Sequence, residues 1–198
     1  MRIAKRSYSI ASSADDRERL EFFLTLVSGG RFTPELWQIA AGGRCWISAT
    51  AVGSFTLDGV PADKDLVMVG TGTGISPYVS MLRTFGGKGR WRRFVMIHGV
   101  RRESDLGYRS ELEARERTDP SFRYVPVVSR EPGAWKGAKG RVQSVLEDSR
   151  FDEIAGMPLD PRSCRVFLCG NPDMIQDVRS RLAPKGFDAS TVHVEKYW

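Results

Sequence analysis

Long apolar runs are missing from this 198-residue chain. No stretch approaches the ~20 apolar residues that cross a bilayer. The amino terminus, MRIAKRSYSIAS, is basic but has no apolar segment of the kind a secretion signal needs, so a cytoplasmic location is expected. Cysteine is scarce. Cys45, Cys164 and Cys169 are odd in number and show no C-x-x-C spacing. That argues against a disulfide framework or a zinc site and for a reducing compartment. Histidine is scarcer still: His98 and His193 fall on or beside expected strands and read as structural, so no acid–base pair is expected. Internal repeats, low-complexity tracts and Lys/Arg runs interleaved with aromatics are absent, and the last absence excludes the usual nucleic-acid footprint. What is present is 41% hydrophobic and 27% charged, a globular composition long enough for one or two domains. Thirty basic against 24 acidic residues leave a net charge of +6, which favours acidic partners or phosphorylated ligands.

The chain is organised around residues 66–82, LVMVGTGTGISPYVSML. Leu66, Val67, Met68 and Val69 form the continuous apolar run of a central parallel strand. Gly70, Gly72 and Gly74 then alternate with Thr71 and Thr73. Glycines let backbone N–H groups come close to a bulky anion, and the start of the next helix adds a positive end. Ser76 and Pro77 suit a first helical turn, with Tyr78, Met81 and Leu82 as the apolar stripe behind it. The pattern points to a nucleotide pyrophosphate. Ile75 stands where G-x-G-x-x-G requires its third glycine, so an ordinary Rossmann dehydrogenase is a poor match.

Before this stretch the chain reads as β-rich. Residues 6–12, RSYSIAS, form an expected strand with Arg6 and Tyr8 on one face. A guanidinium suits a pyrophosphate and a phenol ring suits a flat aromatic ligand. Leu20, Phe22, Leu24 and Leu26 alternate along a second strand. Thr33 is expected to cap, and Pro34 to open, a short helix through Ala40, with residues 30–33 as a second phosphate cradle. Short strands follow at 45–48 and 54–57, and residues 58–65 are the linker candidate. Beyond it, strands alternate with helices. Strands are expected near 66–70, 94–99, 122–128, 165–169 and 192–194. Helices are expected at 75–85, from Ser104 through Glu116, from Arg141 and over 171–182. This alternation implies a doubly wound parallel sheet. The expected fold class is α/β, with a partial antiparallel β-barrel over residues 1–60 and a nucleotide domain over 61–198.

Dinucleotide folds that prefer NAD place an acidic residue after the second strand. Here Arg101 and Arg102 follow it, Arg130 follows the third strand in VVSRE, and Arg141 follows the next loop. Forked, charge-assisted hydrogen bonds to a 2′-phosphate need this chemistry. NADP is expected over NAD.

Four segments together resemble one family. RSYSIAS resembles the Arg-x-Tyr-Ser flavin motif of ferredoxin–NADP reductases, and VGTGTGISPYVSML resembles their Thr-Gly-Thr-Gly turn. VFLCGNPDMIQDV, 166–178, resembles their Cys-Gly-x-Pro-x-Met segment, and the closing EKYW resembles the aromatic end of the bacterial ferredoxin/flavodoxin–NADP reductases. The resemblance implies FAD on a β-barrel and NADP(H) on the α/β domain. It implies that Arg6 pairs with the FAD pyrophosphate, Tyr8 lies against the isoalloxazine and Ser9 bonds near the reactive flavin nitrogen. Gly30, Phe32 and Thr33 are counted with the flavin phosphates, and Ser54 with the cofactor-binding set. Thr71, Gly72, Thr73 and Gly74 take the NADP pyrophosphate and nicotinamide end, Arg101, Arg130 and Arg141 match the family at the 2′-phosphate end, and Ser129 is counted with the cofactor-binding set. Cys169 borders the nicotinamide, while Tyr197 and Trp198 cap the FAD. Ser9, Cys169 and Tyr197 make up the expected reaction-centre set. The family places opening barrel strands before Arg-x-Tyr-Ser, whereas here that motif starts at Arg6, so a partial barrel is expected.

The implied activity is hydride transfer between NADP(H) and FAD, with single electrons to or from ferredoxin or flavodoxin. A monomer is expected, with an acidic redox partner and neither nucleic acid nor membrane. Two alternatives stay open. One is an NADPH-dependent flavin reductase or oxygenase reductase component, any iron–sulfur centre lying on another chain because no cysteine cluster is present. The other is a flavin-free nucleotide-binding regulatory module.

Overall fold

The protein was analysed as a computed structural model that describes residues 5–130, 133 and 135–197. Six parallel strands form one sheet: β1 (Asp65–Thr71), β2 (Arg93–Val100), β3 (Phe122–Val128), β4 (Ala138–Lys139), β5 (Cys164–Gly170) and β6 (Val192–Lys196). Their order is β4-β3-β2-β1-β5-β6. The chain steps outward from β1 to β4, then crosses back to lay β5 on the other side of β1. The order therefore reverses at β1, and ligands of open parallel sheets sit outside the carboxyl ends of the strands at such a reversal.

Leu66, Val67, Met68 and Val69 are fully buried because β1 is covered on both faces. Five α-helices occur among the described residues: α1 (Thr33–Leu36), α2 (Ser76–Phe85), α3 (Arg109–Thr118), α4 (Asp148–Ala155) and α5 (Pro172–Leu182). Val67 and Val69 pack with Phe151 of α4 and with Ile175, Val178 and Leu182 of α5. Leu66 and Met68 pack with Tyr78, Val79 and Leu82 of α2 and Leu112 of α3. The expected strands of the α/β part all form, and the stripe of Tyr78, Met81 and Leu82 is buried. His98 is buried on β2, and His193 stacks on Phe167 with centroids 4.5 Å apart.

Several local expectations are corrected. The chain takes a 3₁₀ turn over Gly72–Ile75 before α2 begins at Ser76. The helix expected from Ser104 begins instead at Arg109, and Ser104 lies in a short 3₁₀ turn. Tyr108 breaks the path with φ +61, held by an edge-on contact to Phe23 at 5.4 Å. Arg141 precedes a 3₁₀ turn, Val142–Val145, rather than an α-helix. The α-helix comes later as α4, whose signals were Phe151, Ile154 and Ala155 at helical spacing and a left-handed Gly156 at its end.

Residues 5–60 depart most from expectation. The two expected strands at 6–12 and 20–27 meet in one antiparallel bridge, Ile10 with Phe22, backed by Ala11 N–H donating to Glu21 O at 2.8 Å. No strand forms at 45–48 or 54–57, where Cys45, Trp46 and Ile47 are exposed. Alternation makes a strand only where a neighbour supplies ladder bonds and covers the apolar face. Leu20 and Leu26 are accordingly exposed, while Phe23 packs inward. The helix expected through Ala40 stops at Leu36. Thr33 does not cap it: its hydroxyl accepts from Val27 N–H at 3.0 Å instead. Residues 11–14 are pinned across α2. Ser80 Oγ donates to Ser12 O at 2.7 Å, Arg83 to Ala11 O at 2.9 Å, and Ala14 N–H to Thr84 Oγ1 at 2.9 Å. Arg83 also pairs with Glu111 and Glu21.

Candidate active site

The carboxyl ends of β1 and β5 meet at close quarters. Gly70 is register partner to Cys169, and Asn171 N–H donates to Thr71 Oγ1 at 3.2 Å. Two glycines make this approach possible. A Cβ on Gly74 would lie 2.4 Å from Cys169 O, and one on Gly170 2.3 Å from Thr71 Oγ1. Tyr78 ties the same two strands from below, its hydroxyl reaching Val69 O at 3.0 Å and Phe167 O at 2.9 Å. Ser76 Oγ donates to Thr73 O at 2.8 Å and closes the turn. Gly74→Ala drives a methyl into backbone that cannot rotate away. It is expected to destabilise the fold by about 1–3 kcal/mol, read as a lower urea midpoint. An unchanged midpoint would show that the β1–β5 approach is slack.

One cluster forms directly beside this junction. Cys169 of β5 is register partner to Glu195 of β6, and its thiol donates to Glu195 Oε2 at 3.7 Å. Two residues on, and so on the same face, Tyr197 holds its backbone N–H to Gly170 O at 3.0 Å. The Tyr197 hydroxyl donates to Ser9 Oγ at 2.9 Å, and Ser9 Oγ donates to Glu195 Oε2 at 2.9 Å. Burial pushes both the Cys169 thiol and the Tyr197 hydroxyl well up, so both are protonated donors at neutral pH. The result is a directed chain, Tyr197 to Ser9 to Glu195, with Cys169 joining from the sheet. Ser9, Cys169 and Tyr197 are thus brought together, although 188 positions separate Ser9 from Tyr197. Sequence reasoning missed Glu195 at its centre. The available signal was its place two residues before Tyr197 on an expected strand.

The turn has a second support that sequence reasoning did not include. His98 Nε2 lies 3.1 Å from Gly72 O, and His98 Nδ1 lies 3.1 Å from the Tyr124 hydroxyl. Burial pushes the His98 imidazole down to about 4, so it is neutral at physiological pH.

The remaining residues fall in two groups. Tyr8 and Phe32 face each other with ring centroids 5.8 Å apart, Gly30 N–H donates to Val27 O at 2.8 Å, and Thr33 is buried beside them. The exposed Arg6 guanidinium bonds Lys5 O. Ser54 is exposed and its side chain makes no hydrogen bond among the described residues, so it is not gathered with this group. Trp198 lies outside the described residues. Arg101, Ser129, Arg130 and Arg141 sit at the carboxyl ends of β2, β3 and β4. Arg130 N–H donates to Arg101 O at 2.8 Å, Ser129 Oγ to Val100 O at 3.1 Å, and Gly140 N–H to Val128 O at 3.0 Å. All three guanidinium groups are exposed, and none is paired with another side chain among the described residues. Among those residues there is also no His/Cys/Asp/Glu group suited to a metal and no helix long and apolar enough to cross a membrane.

Residues 68–180 match the family model described as the oxidoreductase NAD-binding domain. The flavodoxin/ferredoxin–NADP reductase of Escherichia coli K12 is 34% identical over 176 residues, spanning 88% of this chain and 70% of that protein. Ferredoxin–NADP reductase B of Sorangium cellulosum is 37% identical over 198 residues, spanning 98% of this chain and 78% of that protein. The crystal structure of a ferredoxin NADP+ reductase from Neisseria gonorrhoeae, with bound FAD and NADP, superposes with a TM-score of 0.87 at 27% identity, covering 98% of this chain and 80% of that one. Fold, strand order and these likenesses agree, and the chain belongs to the ferredoxin/flavodoxin–NADP reductase family.

Proposed function

We propose that this chain is a flavin-dependent oxidoreductase that moves hydride between NADP(H) and FAD and passes single electrons to or from ferredoxin or flavodoxin. The observation that carries the reading is the cluster of Ser9, Cys169, Glu195 and Tyr197 beside the Thr71–Gly74 turn, at the reversal of strand order. The residues fit the two cofactors. A left-handed Gly72 opens on free space, and three guanidinium groups that are unpaired among the described residues stand on the same sheet edge. Arg101, Arg130 and Arg141 hold the 2′-phosphate, with Ser129 beside them. Thr71, Gly72, Thr73 and Gly74 hold the pyrophosphate and nicotinamide end. Arg6, Tyr8, Gly30, Phe32, Thr33 and Trp198 hold the FAD, so residues 1–60 form the flavin side and 61–198 the nucleotide side. When bound, FAD accepts hydride and releases electrons one at a time. The chain from Tyr197 to Ser9 to Glu195 fixes both hydroxyl groups there, their protons held within the cluster and their oxygens left to accept, and buried Cys169 excludes water from the junction. The net charge of +6 steers an acidic redox partner toward the protein. The same reading has a cytoplasmic monomer that engages neither nucleic acid nor membrane.

A visible absorption spectrum of the full chain with added FAD, followed by anaerobic NADPH, tests this directly. Flavin bands that survive gel filtration and bleach with NADPH are expected. Arg6→Ala should weaken flavin retention about tenfold or more, the loss of one charge-assisted contact. A chain that binds NADP+ but takes up no flavin would be the regulatory module instead.

A further inference from the structure

We propose that His98 and Tyr124 are positioning residues for the nicotinamide half of the dinucleotide, acting through the carbonyl of Gly72. The inference rests on the nucleotide reading above. A carbonyl only accepts, so His98 Nε2 carries the proton donated to Gly72 O. Nδ1 is then a bare lone pair, and the Tyr124 hydroxyl must donate to it. The tautomer is thereby decided, and the pair forms a single directed chain, Tyr124 to His98 to Gly72. His98 is fully buried and Tyr124 nearly so. Each would be left with an unsatisfied polar atom if the chain broke, which costs more than the bond itself contributes.

Gly72 is the residue whose conformation most needs holding. Its φ of +55 lies in the left-handed region, flanked by an extended Thr71. Glycine can leave that region at little cost. In a planar trans peptide the C=O and the next N–H point in opposite directions. Fixing Gly72 O on the buried imidazole therefore aims the Thr73 N–H away from the core. That N–H is one of the orphan donors at the start of the 3₁₀ turn, on a half-exposed residue. The network thus presents a pre-aimed donor at the crevice between β1 and β5. The imidazole stays neutral because burial opposes its charge, so this aim holds across physiological pH. Of the charged residues around the network, Glu113 and Arg109 act on the Tyr124 hydroxyl with opposite signs, and Glu116 accepts from the Tyr124 backbone N–H at 3.1 Å.

Calorimetric titration of the full chain with NADP+ and with adenosine 2′,5′-bisphosphate tests the proposal. The second ligand carries the 2′-phosphate but lacks the nicotinamide half. His98→Leu and Tyr124→Phe should each weaken NADP+ about tenfold, as expected for one misaimed donor, and leave the bisphosphate unchanged. His98→Gln keeps an N–H within reach of Gly72 O and should recover most of the lost affinity. The double variant His98→Leu/Tyr124→Phe should be no worse than His98→Leu, since both act through one N–H. Equal losses for both ligands would assign the network to the fold and overturn the proposal, as would undiminished NADP+ binding. If His98→Leu fails to fold, Tyr124→Phe, which removes one oxygen, decides alone. A wild-type chain that binds neither ligand would overturn the nucleotide reading itself, and this inference with it.

Discussion

Replacing Arg101, Arg130 or Arg141 by alanine will raise the KM for NADPH by about 10- to 100-fold each, while kcat falls much less. The three side chains are exposed and unpaired among the described residues, so removing one disturbs no internal ion pair. Their backbones are nonetheless placed by the sheet: Arg130 N–H bonds Arg101 O, and Gly140, next to Arg141, bonds Val128 O. A 2′-phosphate held by this set is remote from hydride transfer. It contributes to ground state and transition state alike, which is why the loss falls on KM. NADH lacks that phosphate, and its KM should move little. Steady-state kinetics of the three variants with both nucleotides decides the matter. Equal losses for NADH and NADPH would mean that the arginines serve the shared part of the nucleotide or the fold.

Acidification will weaken the fold through His98. The imidazole is held at about 4 in the folded protein against 6.5 when free, and that gap corresponds to about 3–4 kcal/mol at roughly 1.4 kcal/mol per pH unit. The sign follows from proton counting. Above pH 6.5 neither state binds the proton. Between 6.5 and about 4 the unfolded chain binds it and the folded chain does not, so stability falls as pH falls. Below about 4 the loss is complete. Half-buried His193, also lowered by burial, adds a contribution of the same sign. The carboxylates of Glu21 and Asp119, lowered in the fold, lose their contributions at more acid pH, below the ordinary carboxylate range. The measurement is therefore the slope of urea-unfolding free energy against pH from 7 to 4.5, wild type against His98→Gln. The variant should be markedly flatter. Parallel slopes would show that His98 titrates normally and is not held neutral by burial.

The sequence by itself determined the parallel sheet, because each central strand is a continuous apolar run that only a doubly covered position can bury. Glycine punctuation marked the turn at Gly70–Gly74, and arginines in place of an acidic residue after β2 carried the expectation of NADP. These are local signals, carried by residues within one turn or one strand of each other. Only the tertiary structure decided the rest. RSYS announced Ser9 as a candidate, but its partners lie 186 and 188 positions away and are reached because α2 pins residues 11–14, just beyond it. Glu195 reads as one more charged residue on an edge strand until register sets it against Cys169. His98 reads as a strand histidine until the fold lays Gly72 O over it. The alternating residues at 20–27 promised a strand that a single bridge does not make, since a strand exists only with its neighbours. Periodicity reports which face an element buries; the side chains it meets there are chosen by the crossing from β4 back to β5, and no local pattern encodes that crossing.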